Sequence, residues 1–371
     1  MLVKQLHKHH PTIPKNSPLY SIYQKVNNKE RIGEDEALTL FQSHNILEVG
    51  IIANLVNQRF NQNKVYYILN GHINYSNVCA IQCSFCSFST KRGDHNAYEM
   101  SLEDVKNKFT TFNQDEIREI HMVGGLHPDM PFSYYEDMIQ TIKTMNPRVT
   151  VKAFTAVEIA HFADLFNMSL EDIFEKLGDK GLEALPGGGA EIFSEKIRRK
   201  ICPTKISGDQ WLEVHRIAHR SGIKSNATML FGHIETYEDR IDHLKRLRDL
   251  QDQTHGFLTF IPLTYHPEHN PLRSNRTSVL DELKTVAVSR IFLDNFPHIK
   301  AYWVMLGIKV AQLALSFGAD DLDGTVKEEK IYHAAGAESP QMLSKSDLID
   351  LITECRKIPV QRDSFYNEIQ S

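Results

Sequence analysis

The hydrophobic positions of this chain follow two different periods. Between residues 38 and 56 they recur every three or four positions, which predicts amphipathic helices. From residue 65 onward, short runs rich in β-branched and aromatic residues alternate with longer amphipathic segments. The predicted strands are 65–74, 119–123, 149–156, 181–185, 223–231, 257–265, 300–306 and a weaker one at 313–317. Helices are predicted between them, for example at 134–145, 170–180, 210–220 and 238–253.

A strand followed by a helix, repeated six to eight times, predicts an α/β fold with a parallel sheet. An open doubly wound sheet and a (β/α) barrel both satisfy this pattern. Because no linker rich in Pro, Gly or Ser divides the middle of the chain, we favour one barrel, full or partial. We therefore expect an N-terminal arm and helices at 1–64, a barrel core at 65–338 and a C-terminal helical extension at 339–371. The first 18 residues read as a polar arm that is mobile at its start.

The composition limits the classes of binding partner and the cellular compartment that we expect for this protein. The chain has 47 acidic and 42 basic residues and a net charge of −5, which gives no reason to expect a nucleic-acid or membrane partner. It has neither a secretory signal nor an apolar run long enough to span a bilayer, so a cytoplasmic location is expected. Two of the five cysteines, Cys202 and Cys355, stand apart and are interpreted as structural.

The other three cysteines lie within eight positions, at Cys79, Cys83 and Cys86, directly after the first predicted strand. Three thiolates at C-x3-C-x2-C spacing can hold one soft metal centre from a single loop. A closed structural zinc site needs a fourth ligand, for which His95 is the nearest candidate. In a four-iron cluster, by contrast, three protein ligands leave one iron open to a small molecule.

The cysteine spacing, with Phe85 just before the last cysteine, resembles the signature of the radical S-adenosylmethionine (SAM) superfamily. The resemblance implies a barrel of the TIM type, full or partial. It also implies a [4Fe-4S] cluster whose open iron binds the amino and carboxylate groups of SAM. A zinc loop and a simple electron-carrying cluster remain the alternatives.

Two glycine-containing loops follow further predicted strands. Gly124 and Gly125 come after the second strand, where the superfamily holds the methionine amino group, and His127 follows them. Glu191 follows a run of three glycines after the fourth strand, and we expect it to accept hydrogen bonds from ribose hydroxyls. An ordinary acid in the first turn of a helix is the alternative for Glu191.

Polar residues also mark the fifth and sixth predicted strands of the barrel. Asn226 and Thr228 share one face of a strand by two-residue alternation, so we expect both to point into the barrel. His233 and His266 follow the ends of their strands, where barrel enzymes place their chemistry. A structural histidine with satisfied hydrogen bonds is the alternative for both.

Five stretches resemble one branch of the superfamily, which makes menaquinone precursors by the futalosine route and the deazaflavin chromophore of coenzyme F420. They are 72–79, 124–129, 152–159, 185–191 and 229–236. Within the branch, 152–159 (Lys-Ala-Phe-Thr-Ala-Val-Glu-Ile) resembles the aminofutalosine synthases. Their reaction adds the 5′-deoxyadenosyl radical of SAM to 3-[(1-carboxyvinyl)oxy]benzoate, loses a carboxyl group and gives 6-amino-6-deoxyfutalosine.

That resemblance also implies partners and rival functions. A dicarboxylate substrate needs cations or hydrogen-bond donors, and His127, Lys152, His233 and His266 are the candidates. An electron donor such as flavodoxin or ferredoxin must reduce the cluster. The nearest rivals are the sister enzymes, a cyclic dehypoxanthinyl futalosine synthase or a subunit of the deazaflavin (F0) synthase. A non-catalytic iron–sulfur or zinc protein is the rival from another class.

Overall fold

The computed structural model describes residues 12–369 except 82, 269–271 and 273. The first eleven residues of the expected arm lie outside this part of the chain, whereas Ile13 and Leu19 are already buried in the hydrophobic core. The helices predicted over 38–56 are confirmed as α2 (Glu34–Gln42) and α3 (Ile46–Asn61), and a further helix, α1 (Tyr20–Asn27), precedes them.

The strands lie where the chain has short buried runs. They are β1 (Lys64–Ile68), β2 (Asn70–Ile73), β3 (Glu119–Met122), β4 (Thr150–Ala153), β5 (Leu182–Leu185), β6 (Lys224–Phe231), β7 (Phe257–Thr264), β8 (His298–Ile299), β9 (Asp321–Gly324) and β10 (Ile358–Gln361). Strands β2 to β8 form one parallel sheet in chain order. This order never reverses, so the sheet is a curled barrel wall and not a doubly wound sheet.

The helices connect these strands and contribute apolar faces to one contiguous core. They are α4 (Leu102–Thr110), α5 (Phe132–Met145), α6 (Ala156–Phe166), α7 (Leu170–Lys180), α8 (Glu195–Ile201), α9 (Gly208–Arg220), α10 (Tyr237–Thr254), α11 (Val279–Phe292), α12 (Trp303–Leu306), α13 (Ile308–Ala314), α14 (Ile331–Ala334) and α15 (Lys345–Glu354). Several begin at a Ser or Thr whose side chain accepts the amide hydrogen three residues later. These caps fix where each crossover helix starts.

Backbone hydrogen bonds through β9 connect the two edges of the curled sheet. The Ala301 amide donates to the Asp321 carbonyl at 2.8 Å on one side, and the Tyr66 amide donates to the Asp320 carbonyl at 2.7 Å on the other. Further along, the His72 amide donates to the Lys327 carbonyl at 2.9 Å. The segment 320–327 therefore lies between β8 on one side and strands β1 and β2 on the other.

The last third of the chain departs from the sequence-based expectations. The predicted strand 300–306 is wrong, because β8 ends at Ile299 and Trp303–Leu306 forms a short helix. The weaker strand at 313–317 is also wrong, since that segment is the end of α13 and a turn. Conversely, the Asp-Leu-Asp-Gly strand β9 was not expected, because its residues are rare in strands.

The C-terminal segment contains the expected helix, α15, followed by the unexpected strand β10. Strand β10 pairs in parallel with β1. Just beyond it, the buried Arg362 guanidinium binds the Asp321 carboxylate at 2.7 Å. The end of the chain is thereby attached to β9 and to the base of the barrel.

Candidate functional site

A cavity of about 260 Å³ lies inside the barrel and opens at the carboxyl ends of its strands. Among its lining residues are the three clustered cysteines, both glycine loops and inward-facing side chains of β2, β3, β4, β6 and β7. Because all strands of the wall are parallel, their carboxyl ends meet at one rim. The cavity is therefore the place where the motifs that follow the strands come together.

Cys79, Cys83 and Cys86 are free, half-buried and exposed to this cavity. Backbone hydrogen bonds hold their loop to neighbouring segments: the Cys79 amide donates to the Thr90 carbonyl at 3.0 Å, and the Ala80 amide donates to the Leu126 carbonyl at 2.8 Å. The loop is thus fixed to the end of β3. A loop that supplies metal ligands must be held in this way to keep its geometry.

The surroundings of the thiols suit an iron–sulfur cluster. Burial raises the pKa of both Cys79 and Cys83, while the nearby Lys205 ammonium opposes that rise at Cys83. The Leu126 amide donates a hydrogen bond to the Cys79 sulfur at 3.4 Å, a contact that stabilises a thiolate. Within the described ranges, no group of three His, Cys, Asp or Glu side chains is placed to hold a single metal ion.

Gly124 and Gly125 line the cavity next to the cysteine loop. A Cβ on Gly125 would lie 2.2 Å from the Val78 carbonyl oxygen, so only glycine allows the two backbones to approach this closely. The Gly125 amide donates to the Ser76 carbonyl at 2.9 Å. The observed role of this pair is to seat the cysteine loop, and their predicted contact with the methionine amino group remains a proposal.

Glu158 lies beside these glycines and was not singled out from the sequence. It is the third residue of α6, where its carboxylate accepts from the Thr155 amide at 2.7 Å. The same carboxylate accepts from the Gly124 amide at 3.0 Å and from the Tyr75 hydroxyl at 2.6 Å. The capping box that starts α6 therefore also fixes the glycine loop at the cavity.

Glu191 lines the cavity, but it lies outside a helix, since α8 begins only at Glu195. The alternative of a first-turn helix acid is therefore wrong. Its carboxylate pairs with the Lys205 ammonium at 2.7 Å, and both side chains are nearly buried. Burial would lower the pKa of Lys205, but the Glu191 carboxylate holds it above its usual range. Lys205 also lies 5.4 Å from the ring centre of Phe85, on the cysteine loop.

Asn226 and Thr228 point into the barrel, as the strand alternation predicts. Both line the cavity from β6, whereas Ala227 is packed in the core. The Thr228 hydroxyl donates to the Gly187 carbonyl at 2.7 Å. The Oδ1 atom of Asn226 is buried and has no hydrogen-bond partner among the described residues. A buried acceptor of this kind is available to a ligand.

The three candidate histidines do not share one environment. His127 is buried beside the cysteine loop, where its ring binds Glu99 at 2.8 Å and accepts the Met130 amide at 2.9 Å. The His233 ring is also buried and accepts the Ile234 amide at 2.8 Å. His233 therefore has the structural contacts of the alternative interpretation, and His127 is held by similar contacts. His266 lines the cavity and contacts the Met305 carbonyl at 2.9 Å.

Lys152 lies in the cavity, paired with a carboxylate that was not predicted. Its ammonium lies 2.6 Å from Glu119 on the neighbouring strand, and both side chains are almost inaccessible. Burial lowers the pKa of Lys152. Burial alone would raise the pKa of Glu119, but Lys152 and other cations hold it well below its usual range. A second buried pair, Lys300 with Asp323 at 3.1 Å, also lines the cavity.

The sequence comparisons agree with this site. The Radical SAM superfamily profile matches residues 73–247, and the profile of the CofH/MqnC C-terminal region matches residues 254–370. The structure resembles the crystal structure of methylornithine synthase (PylB), with a TM-score of 0.71 at 21% identity, covering 91% of this chain and 97% of that one. The chain is a radical SAM enzyme by fold, profile and cysteine motif.

Two relatives define the family more closely. Aminodeoxyfutalosine synthase from Thermus thermophilus is 42% identical over 357 residues, which is 95% of this chain and 96% of that protein. Cyclic dehypoxanthine futalosine synthase from Streptomyces coelicolor is 36% identical over 348 residues, which is 91% of this chain and 86% of that protein. Within the radical SAM superfamily, the chain belongs to the family that contains the aminodeoxyfutalosine synthases and their sister enzymes. None of the helices in the described ranges is long and apolar enough to cross a bilayer.

Proposed function

We propose that this protein transfers the 5′-deoxyadenosyl group of SAM to the enol-ether double bond of carboxyvinyloxybenzoate, with release of methionine. Loss of a carboxyl group as CO2 or bicarbonate then gives aminodeoxyfutalosine. The observation that carries the proposal is a single cavity that combines three free cysteines with buried polar groups and an apolar wall. The 42% identity to an aminodeoxyfutalosine synthase over nearly the whole chain supports the same substrate. SAM is then a building block of the product, not only a source of radicals.

The cysteine loop is the part of the chain that would hold the cluster. Cys79, Cys83 and Cys86 would be the three protein ligands of a [4Fe-4S] cluster to which SAM binds. Such a cluster, reduced by an external donor such as flavodoxin or ferredoxin, would supply the electron that cleaves SAM. The Leu126 amide and the Lys205 ammonium offset the negative charge that collects at the sulfurs.

A second part of the cavity, lined by Asn226 and Glu191, suits the nucleoside half of SAM. Asn226 offers an unpaired carbonyl oxygen, and the Glu191 carboxylate is fixed by Lys205. Both groups accept hydrogen bonds, as ribose hydroxyls and the adenine amino group require. A Cβ on Gly187 would lie 2.1 Å from the Asn226 carbonyl oxygen, and a Cβ on Gly189 would lie 2.4 Å from the Val157 side chain of α6, so both positions need glycine.

Apolar side chains line other parts of the same cavity. Val123, Leu230 and Leu263 line the cavity and are themselves buried. Such surfaces enclose the reacting carbon away from bulk solvent and carry no weak S–H or phenolic O–H bond for a primary radical to attack.

The test is an anaerobic incubation of the reconstituted, reduced protein with SAM and carboxyvinyloxybenzoate, followed by mass spectrometry. The expected product has the mass of aminodeoxyfutalosine, and the Cys83→Ser variant forms none. Parallel reactions contain dehypoxanthine futalosine, or tyrosine with the ribityl-aminouracil acceptor. Turnover of either of those substrates, with no adduct from carboxyvinyloxybenzoate, would assign the protein to a sister enzyme.

A further inference from the structure

Three inward-facing side chains form a row across the barrel wall beneath the cysteine loop. The strand register places His72 of β2 beside His121 of β3, and His121 beside Lys152 of β4. Register partners in a parallel sheet point to the same face, and all three side chains line the cavity. We refer to His72, His121 and Lys152 as the basic row.

The central member of the basic row has an unused polar atom. The Nε2 atom of His121 is buried and has no hydrogen-bond partner among the described residues. Its ring packs against the His72 ring, with the ring centres 4.6 Å apart. A buried, unpaired ring nitrogen costs free energy unless a ligand supplies its partner.

Lys152 places a cation beside that nitrogen. An ammonium carries three hydrogens, and its pair with Glu119 uses one of them. A carboxylate that entered the row would meet a charged donor and an imidazole in one small space. Two of the neighbouring acids are paired, Glu119 with Lys152 and Asp323 with Lys300. A third acid, Glu329, acts on His72 and accepts the Ile331 and Tyr332 amides.

The depth of the basic row within the barrel determines which of the two carboxylates of the substrate it would bind. Each member lies one residue before the end of its strand, below the loops that carry the cysteines and Gly124. The enol-ether double bond must face SAM near those loops, and its own carboxylate is attached to the reacting unit. The carboxylate on the far side of the aromatic ring is the group that extends deeper.

We infer that His121 and Lys152 bind the aromatic carboxylate of the substrate and that His72 holds the His121 ring in position. The inference rests on the proposed function, because it assigns one end of that substrate. It replaces His127 and His233, whose rings are engaged elsewhere, with two histidines that face the cavity. Recognition of this carboxylate would select the benzoate over ring systems that lack it.

The experiment combines a change in the protein with a change in the ligand. His121→Phe keeps a flat ring and removes both nitrogens, and His121→Gln restores a donor. His161→Phe is the matched control, since His161 is a half-buried histidine that does not line the cavity. Each protein is assayed with carboxyvinyloxybenzoate and with the analogue in which hydrogen replaces the aromatic carboxylate.

The wild-type protein should show a KM for the dicarboxylate at least about tenfold below that for the analogue, as loss of a hydrogen bond to a charged group predicts. His121→Phe should remove most of this difference, and His121→Gln should restore part of it. An equal KM of the wild type for both ligands, or an unchanged ratio in His121→Phe, would overturn the inference. Failure of the wild type to form any adduct would instead overturn the proposed function.

Discussion

The close contact between Gly125 and the cysteine loop gives a prediction that can be worked from distances. In Gly125→Ala, the new Cβ would lie 2.2 Å from the Val78 oxygen, whereas ordinary contact begins near 3.4 Å. The two segments must therefore separate by about 1 Å. That shift strains the hydrogen bonds from Gly125 to Ser76 and from Ala80 to Leu126, each of which contributes about 1 kcal/mol.

We expect Gly125→Ala to affect cluster binding and SAM cleavage more than the stability of the fold. We expect the free energy of unfolding to fall by about 2 kcal/mol. A displacement of about 1 Å at reacting groups can cost about 100-fold in rate, so SAM cleavage should fall by a factor of this order. The assays are iron and sulfide content after anaerobic reconstitution, urea unfolding, and the rate of methionine release from SAM.

A second glycine supplies the control. Gly178 lies inside α7, and a Cβ there would meet nothing within 4 Å, so Gly178→Ala should keep full iron content and stabilise the helix slightly. If Gly125→Ala bound iron and cleaved SAM as well as Gly178→Ala did, the seating role of Gly125 would be refuted.

Three further predictions concern other residues. Cys202→Ser should retain the wild-type iron content, whereas Cys83→Ser should lose it, because Cys202 is buried outside the cavity lining; equal iron loss in both would make Cys202 a ligand. Lys205→Met should lower the free energy of unfolding by about 3 kcal/mol, because it leaves the nearly buried Glu191 unpaired. The exposed Lys176→Met is its control, and equal urea midpoints would contradict the prediction. Burial raises the pKa of Glu282 to about 7, so the carboxylate opposes folding as the pH rises from about 4.5 to 7. Glu282→Gln should therefore stabilise the protein by about 1–2 kcal/mol at pH 8 and hardly at pH 5; an equal effect at both pH values would argue against that pKa.

The parts of the site that follow a local pattern could be predicted from the sequence. The cysteine spacing and the alternation in β6 depend on neighbours within a few positions. Cys79 and Asn226 both line the cavity, and their roles there stay predictions. The same alternation applied to β2 and β3 points to His72 and His121, which share the register of Lys152. The sequence therefore contains a local signal for both histidines.

Other features depend on contacts between distant segments. Lys205 follows α8, and it reaches the cavity because the end of α8 packs on the cysteine loop, where the Ser84 amide donates to the Ile201 carbonyl at 3.0 Å. The run 300–306 is buried along its length and contains aromatic and β-branched residues. Such a run does not show whether the segment forms a strand or a short helix. Strand β9 is stabilised by Arg362 and Tyr366 from the end of the chain, which no local window contains.

The fate of the adenosyl carbon tests the central claim most directly. SAM labelled with carbon-13 in the adenosyl ribose is given to the reduced, reconstituted protein together with carboxyvinyloxybenzoate. If the adenosyl group adds to the substrate, mass spectrometry will find one labelled adenosyl unit in aminodeoxyfutalosine for each methionine released. Label recovered as 5′-deoxyadenosine, with no labelled adduct, would show hydrogen abstraction and contradict the proposed reaction.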